Sequence, residues 1–165
     1  MISDTYVECL VKKKTSTLFL LLRILSVMLT VVFILLGLIL WPALIIGVLT
    51  GVAAYFIYLN SDLEYEYLYL DKEITIDKVM AKTRRKRVAK YDVQRMEILA
   101  PMNSYHLGDY KNRTAKTNDY SSGEVKQPEV RYVMYYEGGQ KVILEPGSEL
   151  VKAIKNVAPR KVFTD

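Results

Sequence analysis

Hydrophobic positions along the chain change their period once, near residue 60. From Ile24 to Ser61 there is no charged residue, and apolar side chains run almost unbroken on either side of Trp41-Pro42. A bilayer core takes roughly 20 apolar residues per helix, so this stretch predicts two spans, at about 17–40 and about 43–59. Proline disfavours helical geometry in the residue before it, and tryptophan prefers the lipid–water interface. Both place Trp41-Pro42 in a tight turn between antiparallel helices, with Tyr55 and Tyr58 marking the other interface. A signal-peptide core runs only about 7–15 residues and ends at a small-x-small site. Neither feature fits here, so the segment reads as a retained anchor. A re-entrant hairpin, entering and leaving by one leaflet, fits the same pattern.

Beyond Asn60-Ser61-Asp62 the period drops to two. The stretch "LEYEYLYL" puts Leu63, Tyr65, Tyr67 and Tyr69 on one face and Glu64, Glu66, Leu68 and Leu70 on the other, as a strand does. Asp71-Lys72 predicts a turn into "EITIDKVMA", a second strand with Ile74 and Ile76 on one face. The run "KTRRKRVAK" at 82–90 then leads into a third strand, "RVAKY". "DVQRM" predicts one helical turn capped by Asp92, and "EILAP" a fourth strand stopped by Pro101. Residues from about 103 to 128 lack periodicity, and a connection of that length is either functional or mobile. "VRYVMYYE" and "QKVILEP" pair across Gly138-Gly139 as a hairpin. From about Ser148, "SELVKAIKNV" carries an apolar stripe of Leu150, Val151, Ile154 and Val157.

This order predicts an α+β membrane protein with three parts. Residues 1–16 form a cytoplasmic or interfacial segment, predicted as a short helix with Tyr6, Leu10 and Val11 on one side. Residues 17–60 form a transmembrane helical hairpin. Residues 61–165 form a domain in which an antiparallel bent sheet or barrel of six or seven strands is capped by a C-terminal helix.

Charge adds orientation. Lys12, Lys13, Lys14 and Arg23 flank one end of the hairpin; Lys72, Lys78 and the basic run follow the other; the connecting turn is uncharged. The positive-inside bias then puts both termini in the cytoplasm. Arg23 reads as an arginine snorkelling towards headgroups, not as a transport-site charge, because only Ser26, Thr30 and Thr50 are polar at depth. Gly47, Gly51 and Ala54 share a face of the second span. Small residues at this spacing let helix backbones approach closely. The groove receives either the first helix of the same hairpin or a second copy of the chain.

Chemistry is scarce. Cys9 is the single cysteine, so no internal disulfide forms. His106 is the single histidine and reads as an exposed loop residue. Glu64 and Glu66 read as the solvated face of a strand. No phosphate-binding glycine loop is present, and no residues cluster at metal-ligand spacing. No catalytic residue, metal or cofactor is expected. The basic run, with Arg84, Arg85, Lys86, Arg87 and Lys90, is the candidate binding surface. Anionic headgroups, an acidic protein partner and bare solvent each fit it. Nucleic acid fits poorly, because residues 61–165 hold 19 basic against 16 acidic residues and their overall field is weak.

The stretches "YVECLVKKKTS", "LEYEYLYLDKEITIDKVMAKTRRKRVAKYDVQRMEILAP" and "EPGSELVKAIKNVAPRKVF" look similar to a Firmicutes family of small two-helix membrane proteins with a bacterial PH-like domain. The resemblance covers nearly the whole chain, with only "DYSSG" matching in the 103–128 loop. It implies a pleckstrin-homology-like fold and a multi-pass location in a bacterial cell membrane, and no activity. Eukaryotic PH domains bind phosphoinositide headgroups through basic residues around the first strand hairpin. Here the basic run joins the second and third strands instead.

Overall fold

The computed structural model describes residues 6–164. The chain forms two compact units. One holds Lys14–Glu64 and Val79–Arg84; the other gathers the residues up to Lys13 with Tyr65–Lys78 and the chain from Arg85 onward.

The first of these is built on two helices, α1 (Thr17–Gly37) and α2 (Trp41–Ser61), each of 21 residues. At 1.5 Å per residue each is about 31 Å long. By length and composition both suffice to cross a membrane. The boundaries differ from expectation: Trp41-Pro42 opens α2 instead of forming the turn. Proline is tolerated in a first helical turn, where its missing N–H has no intrahelical partner to lose. The hydroxyls of Ser26, Thr30 and Thr50 all donate to carbonyls of their own helix, at 2.8 to 3.0 Å. Arg23 lies over the Tyr58 ring, 4.5 Å from its centroid. Gly47 faces α1 so closely that a Cβ there would sit 3.2 Å from Ile34 Cγ1 and 3.3 Å from Ile34 N. A Cβ at Gly51 would meet Thr30 Cγ2 at 3.4 Å. The small-residue face is therefore occupied within the hairpin.

The ends of the hairpin meet. Thr15 Oγ1 donates to the Ser61 carbonyl at 2.9 Å. Ala81 N–H donates to the Asp62 carbonyl at 2.7 Å.

The strands form two four-stranded sheets, not a closed barrel. The first has the order β1 (Val7–Lys12), β2 (Leu63–Leu70), β3 (Glu73–Met80), β4 (Arg84–Asp92). Strand β1 replaces the interfacial helix expected at the N-terminus. Val7, Cys9 and Val11 alternate towards the core while Glu8, Leu10 and Lys12 alternate away, so period two prevails over the helical reading of Tyr6, Leu10 and Val11. Strands β2 and β3 are joined by Asp71-Lys72, both with positive φ (51° and 66°), the geometry that matches strand twist in a two-residue hairpin. The basic run also shifts: it lies in β4 itself, and the preceding turn is residues 81–83.

The second sheet has the order β5 (Met96–Pro101), β7 (Tyr132–Tyr136), β8 (Gln140–Leu144), β6 (Lys116–Asp119). Strands β5, β7 and β8 pair antiparallel, with Leu99 opposite Met134 and Met134 opposite Val142. Strand β6 pairs parallel to β8. Gly138 and Gly139 (φ 82° and 74°) make the hairpin turn in a conformation that side chains resist. Between β4 and β5, residues Val93–Arg95 form a single helical turn, with Asp92 Oδ1 accepting from Gln94 N–H at 2.8 Å, as its sequence predicts.

Helix α3 (Ser148–Val157) buries Leu150, Val151, Ala153 and Ile154. Val157, assigned to the stripe from sequence, is exposed. One core joins Tyr67, Ile74 and Ile76 of the first sheet to Leu99, Met134 and Leu144 of the second and to Leu150 and Ile154 of α3. A smaller cluster of Ile98, Ala100, Val133 and Tyr135 is covered by Leu107 and Tyr110 from the long loop. That loop is ordered by local structure: Tyr105–Tyr110 is a 3-10 helix and Lys116–Asp119 is β6. After α3 the chain returns to β5, where Leu99 N–H bonds to the Lys161 carbonyl and Phe163 N–H to the Leu99 carbonyl.

Candidate functional site

Strand β4 ends the first sheet, so among the described residues one side of its backbone has no strand neighbour. Arg84, Arg85, Lys86, Arg87 and Val88 are all exposed in succession. Such an edge is ordinarily protected by charge, and the charges here divide into two groups.

The first group is paired. Arg85 Nη2 reaches Glu66 Oε1 at 2.9 Å, Arg87 Nε lies 3.7 Å from Asp77 Oδ1, and Lys90 Nζ is 2.7 Å from Glu73 Oε2. The cationic heads are more than half exposed, but the Glu66 and Asp77 side chains are only 2% and 8% exposed. Glu64 and Glu66 were expected on a solvated face. Both are buried. Glu66 Oε2 and Asp77 Oδ1 have no hydrogen-bond donor. Burial pushes the Glu66 carboxyl above its ordinary range, and a hydrogen bond shared with Glu8 raises it further, against the pull of Arg85. Glu8 moves the other way, held down by the hydroxyl of Tyr6, which donates at 2.9 Å, and by Glu66. The two carboxyls, on β1 and β2, are thus shifted in opposite directions. Arg87 and Lys90 also border a pocket of about 270 Å³ with Leu68 and Leu70, but Asp71 and Glu73 border it too. It offers an anion little net attraction.

The second group is free. Lys82, Arg84 and Lys86 are exposed and make no ion pair among the described residues. Lys82 and Arg84 belong to the same unit as the helices, on either side of Thr83 and just after the Ala81–Asp62 bond. The free charge therefore starts where α2 ends. Of the residues singled out from sequence, Arg84 and Lys86 remain available, while Arg85, Arg87 and Lys90 are engaged with acids. Lys82 gains importance that its position in the run did not signal. Gly47, Gly51 and Ala54 lie together on α2, and Gly47 and Gly51 face α1.

Elsewhere, Glu145 at the end of β8 anchors the loop. Its carboxylate accepts from Ser122 N–H at 3.1 Å and from Lys126 Nζ at 2.5 Å. Its own N–H donates to Tyr67 Oη, whose hydroxyl donates to the Tyr120 carbonyl. Burial alone would raise the Glu145 carboxyl, yet these donors hold it below its ordinary range. No sequence pattern signalled this network, because its members lie 19 to 78 residues apart. His106 is half-buried, not exposed as expected: its ring stacks on Phe163 at 3.7 Å and lies against Tyr105 at 3.9 Å. Among the described residues no group of three or more His, Cys, Asp or Glu is arranged to hold a metal ion.

A family model described as a bacterial PH-like domain (DUF6106) matches residues 3–164. No curated protein and no solved structure matches the chain.

Proposed function

The chain belongs to the bacterial PH-like domain family, and from that premise we propose that it is a membrane-anchored, non-enzymatic adaptor whose basic β4 edge rests on anionic lipid. PH-like domains are lipid- or protein-binding modules, which sets the class. The finer reading rests on one observation. Ala81 N–H bonds to the Asp62 carbonyl at 2.7 Å and ties the β3–β4 turn to the end of α2. With α1 and α2 spanning a bilayer, Lys82 and Arg84 then lie at headgroup level. A Lys or Arg close to an anionic surface gains about 1 kcal/mol, so Lys82 and Arg84 together supply about 2 kcal/mol.

Several features support the anchor. None of the most apolar window of α1 and 11% of that of α2 is buried, unlike the core helix of a soluble protein. The Thr15–Ser61 bond puts the start of α1 beside the end of α2, as two spans with a common exit side require. Lys12–Lys14 and the basic run support a cytoplasmic side there, by the positive-inside bias. The Arg23–Tyr58 contact suits an arginine anchored at an interface.

The test is hydrogen exchange on the full-length protein in lipid nanodiscs. Residues 82–88 exchange more slowly in anionic than in neutral discs, and salt or R84E/K86E abolishes the difference. Equal exchange in both lipids removes the reading. A second reading, recruitment of an acidic protein segment as an added strand, is favoured by the unpaired edge of β4. It gives protection only when the partner is present, whatever the lipid.

A further inference from the structure

A cavity of about 520 Å³ opens beside α3, within the range of roughly 300–1,000 Å³ typical of small-molecule sites. Val130, Tyr132, Pro146 and Val151 form its apolar walls, and Lys152 and Lys155 stand along it. Residues three apart on a helix share a face, so both ammonium groups serve the same opening. Lys155 Nζ donates to Thr164 Oγ1 at 3.2 Å, and Thr164 also lines the cavity. The Lys155 head is thereby held across the mouth. An ammonium has three donors, and two remain for a ligand.

Among the described residues Glu129 is the only acid in the lining, and it is already engaged. Arg131 Nε and Nη2 grip Oε1 and Oε2 at 2.7 and 2.9 Å, with both side chains largely buried. This bidentate pair neutralises the wall it forms, and it holds Glu129 below its ordinary range. What is left is an apolar chamber with two lysines at its mouth. We propose that this cavity binds an amphipathic monoanion: an apolar body seated against Tyr132 and Val151, with a terminal carboxylate between Lys152 and Lys155. A fatty-acid-like carboxylate fits both demands. A neutral alcohol of the same length satisfies only the walls, and an alkylammonium is repelled.

The experiment photolabels the full-length protein in nanodiscs with a diazirine analogue of decanoate and locates the label by peptide mass. Site-resolved readout separates this cavity from label dissolved around α1 and α2. Label on 129–132 and 146–155, displaced by decanoate but not by decanol or decyltrimethylammonium, is the expected result. In K152E/K155E the decanoate concentration that halves labelling rises about tenfold, equivalent to about 1.4 kcal/mol. K152Q/K155Q, which keeps side-chain length, shows a smaller rise in the same direction. Label confined to α1 and α2, equal competition by decanol, or unchanged labelling in both variants would each overturn the proposal.

Discussion

Arg85 extends from the edge strand β4 to place Nη2 2.9 Å from Glu66 Oε1. The Arg85 side chain is 57% exposed and the Glu66 side chain 2% exposed. The two partners thus live in different dielectrics, and losing one is not equivalent to losing the other. Arg85→Ala strands a buried carboxylate and is expected to cost roughly 1–2 kcal/mol, less than the 3–5 kcal/mol of a fully buried pair because solvent screens the arginine. Glu66→Gln removes the desolvated charge and is near neutral, and R85A/E66Q unfolds close to E66Q alone. Unfolding followed by tyrosine near-ultraviolet dichroism distinguishes these cases. An R85A cost that persists in the E66Q background would assign the effect to packing.

The Glu8–Glu66 pair gives a pH dependence of defined sign. Glu66 titrates above its ordinary 4.5 in the folded state, so the folded state holds more protons than the unfolded one. Its contribution to stability is full below 4.5 and falls as pH rises through the folded value. Glu8 titrates below 4.5, so its contribution is present above 4.5 and fades as pH falls. On raising the pH from 4.5 towards 7, wild type therefore loses a stabilising contribution that E66Q lacks. The difference in stability between wild type and E66Q should shift in favour of E66Q across that interval.

Glu145 ties Ser122 and Lys126 to the end of β8. Glu145→Ala leaves the Ser122 N–H without its acceptor and should cost about 1–3 kcal/mol. Exchange should accelerate at residues 120–126 and remain unchanged in β7. The Glu145 contribution is present above its ordinary pKa and is lost as pH falls through the depressed folded value. Rapid exchange of residues 120–126 in the wild-type protein would contradict the anchoring role.

Gly47 lies against the Ile34 backbone. Gly47→Leu forces the helices apart and should destabilise the hairpin by about 1–3 kcal/mol, as overpacking does. The oligomeric state in detergent, read by light scattering, should not change, because the face is filled from within. A change in subunit number at constant hairpin stability would instead place a second copy in the groove.

The elements legible in the sequence are those stabilised by neighbours along the chain. Strands β2 and β3 show alternation and a short turn; β7 and β8 show a Gly-Gly hairpin; α3 shows a stripe. The strands missed are those whose partners are remote. Strand β1 pairs with β2 across the whole helical hairpin, and β6 is four polar residues whose pairing is parallel, to β8. Missing β1 also hid the site chemistry, since Glu8 on β1 and its partner Tyr6 bear on the titration of Glu66 on β2. Charge counting overstated the basic run for the same reason: three of its cations answer acids on β2 and β3. A fragment beginning at residue 61 would lack β1, so experiments on this domain need the N-terminal strand.

The most direct test places a nitroxide at Val88, on the exposed edge, in a Cys9→Ala background of the full-length protein. Relaxation by a paramagnetic metal chelated to lipid headgroups is compared in anionic and neutral bilayers. Strong relaxation in anionic bilayers, reduced by salt and by R84E/K86E, is the predicted result. Weak relaxation that is the same in both lipids and insensitive to salt would contradict a lipid-facing β4.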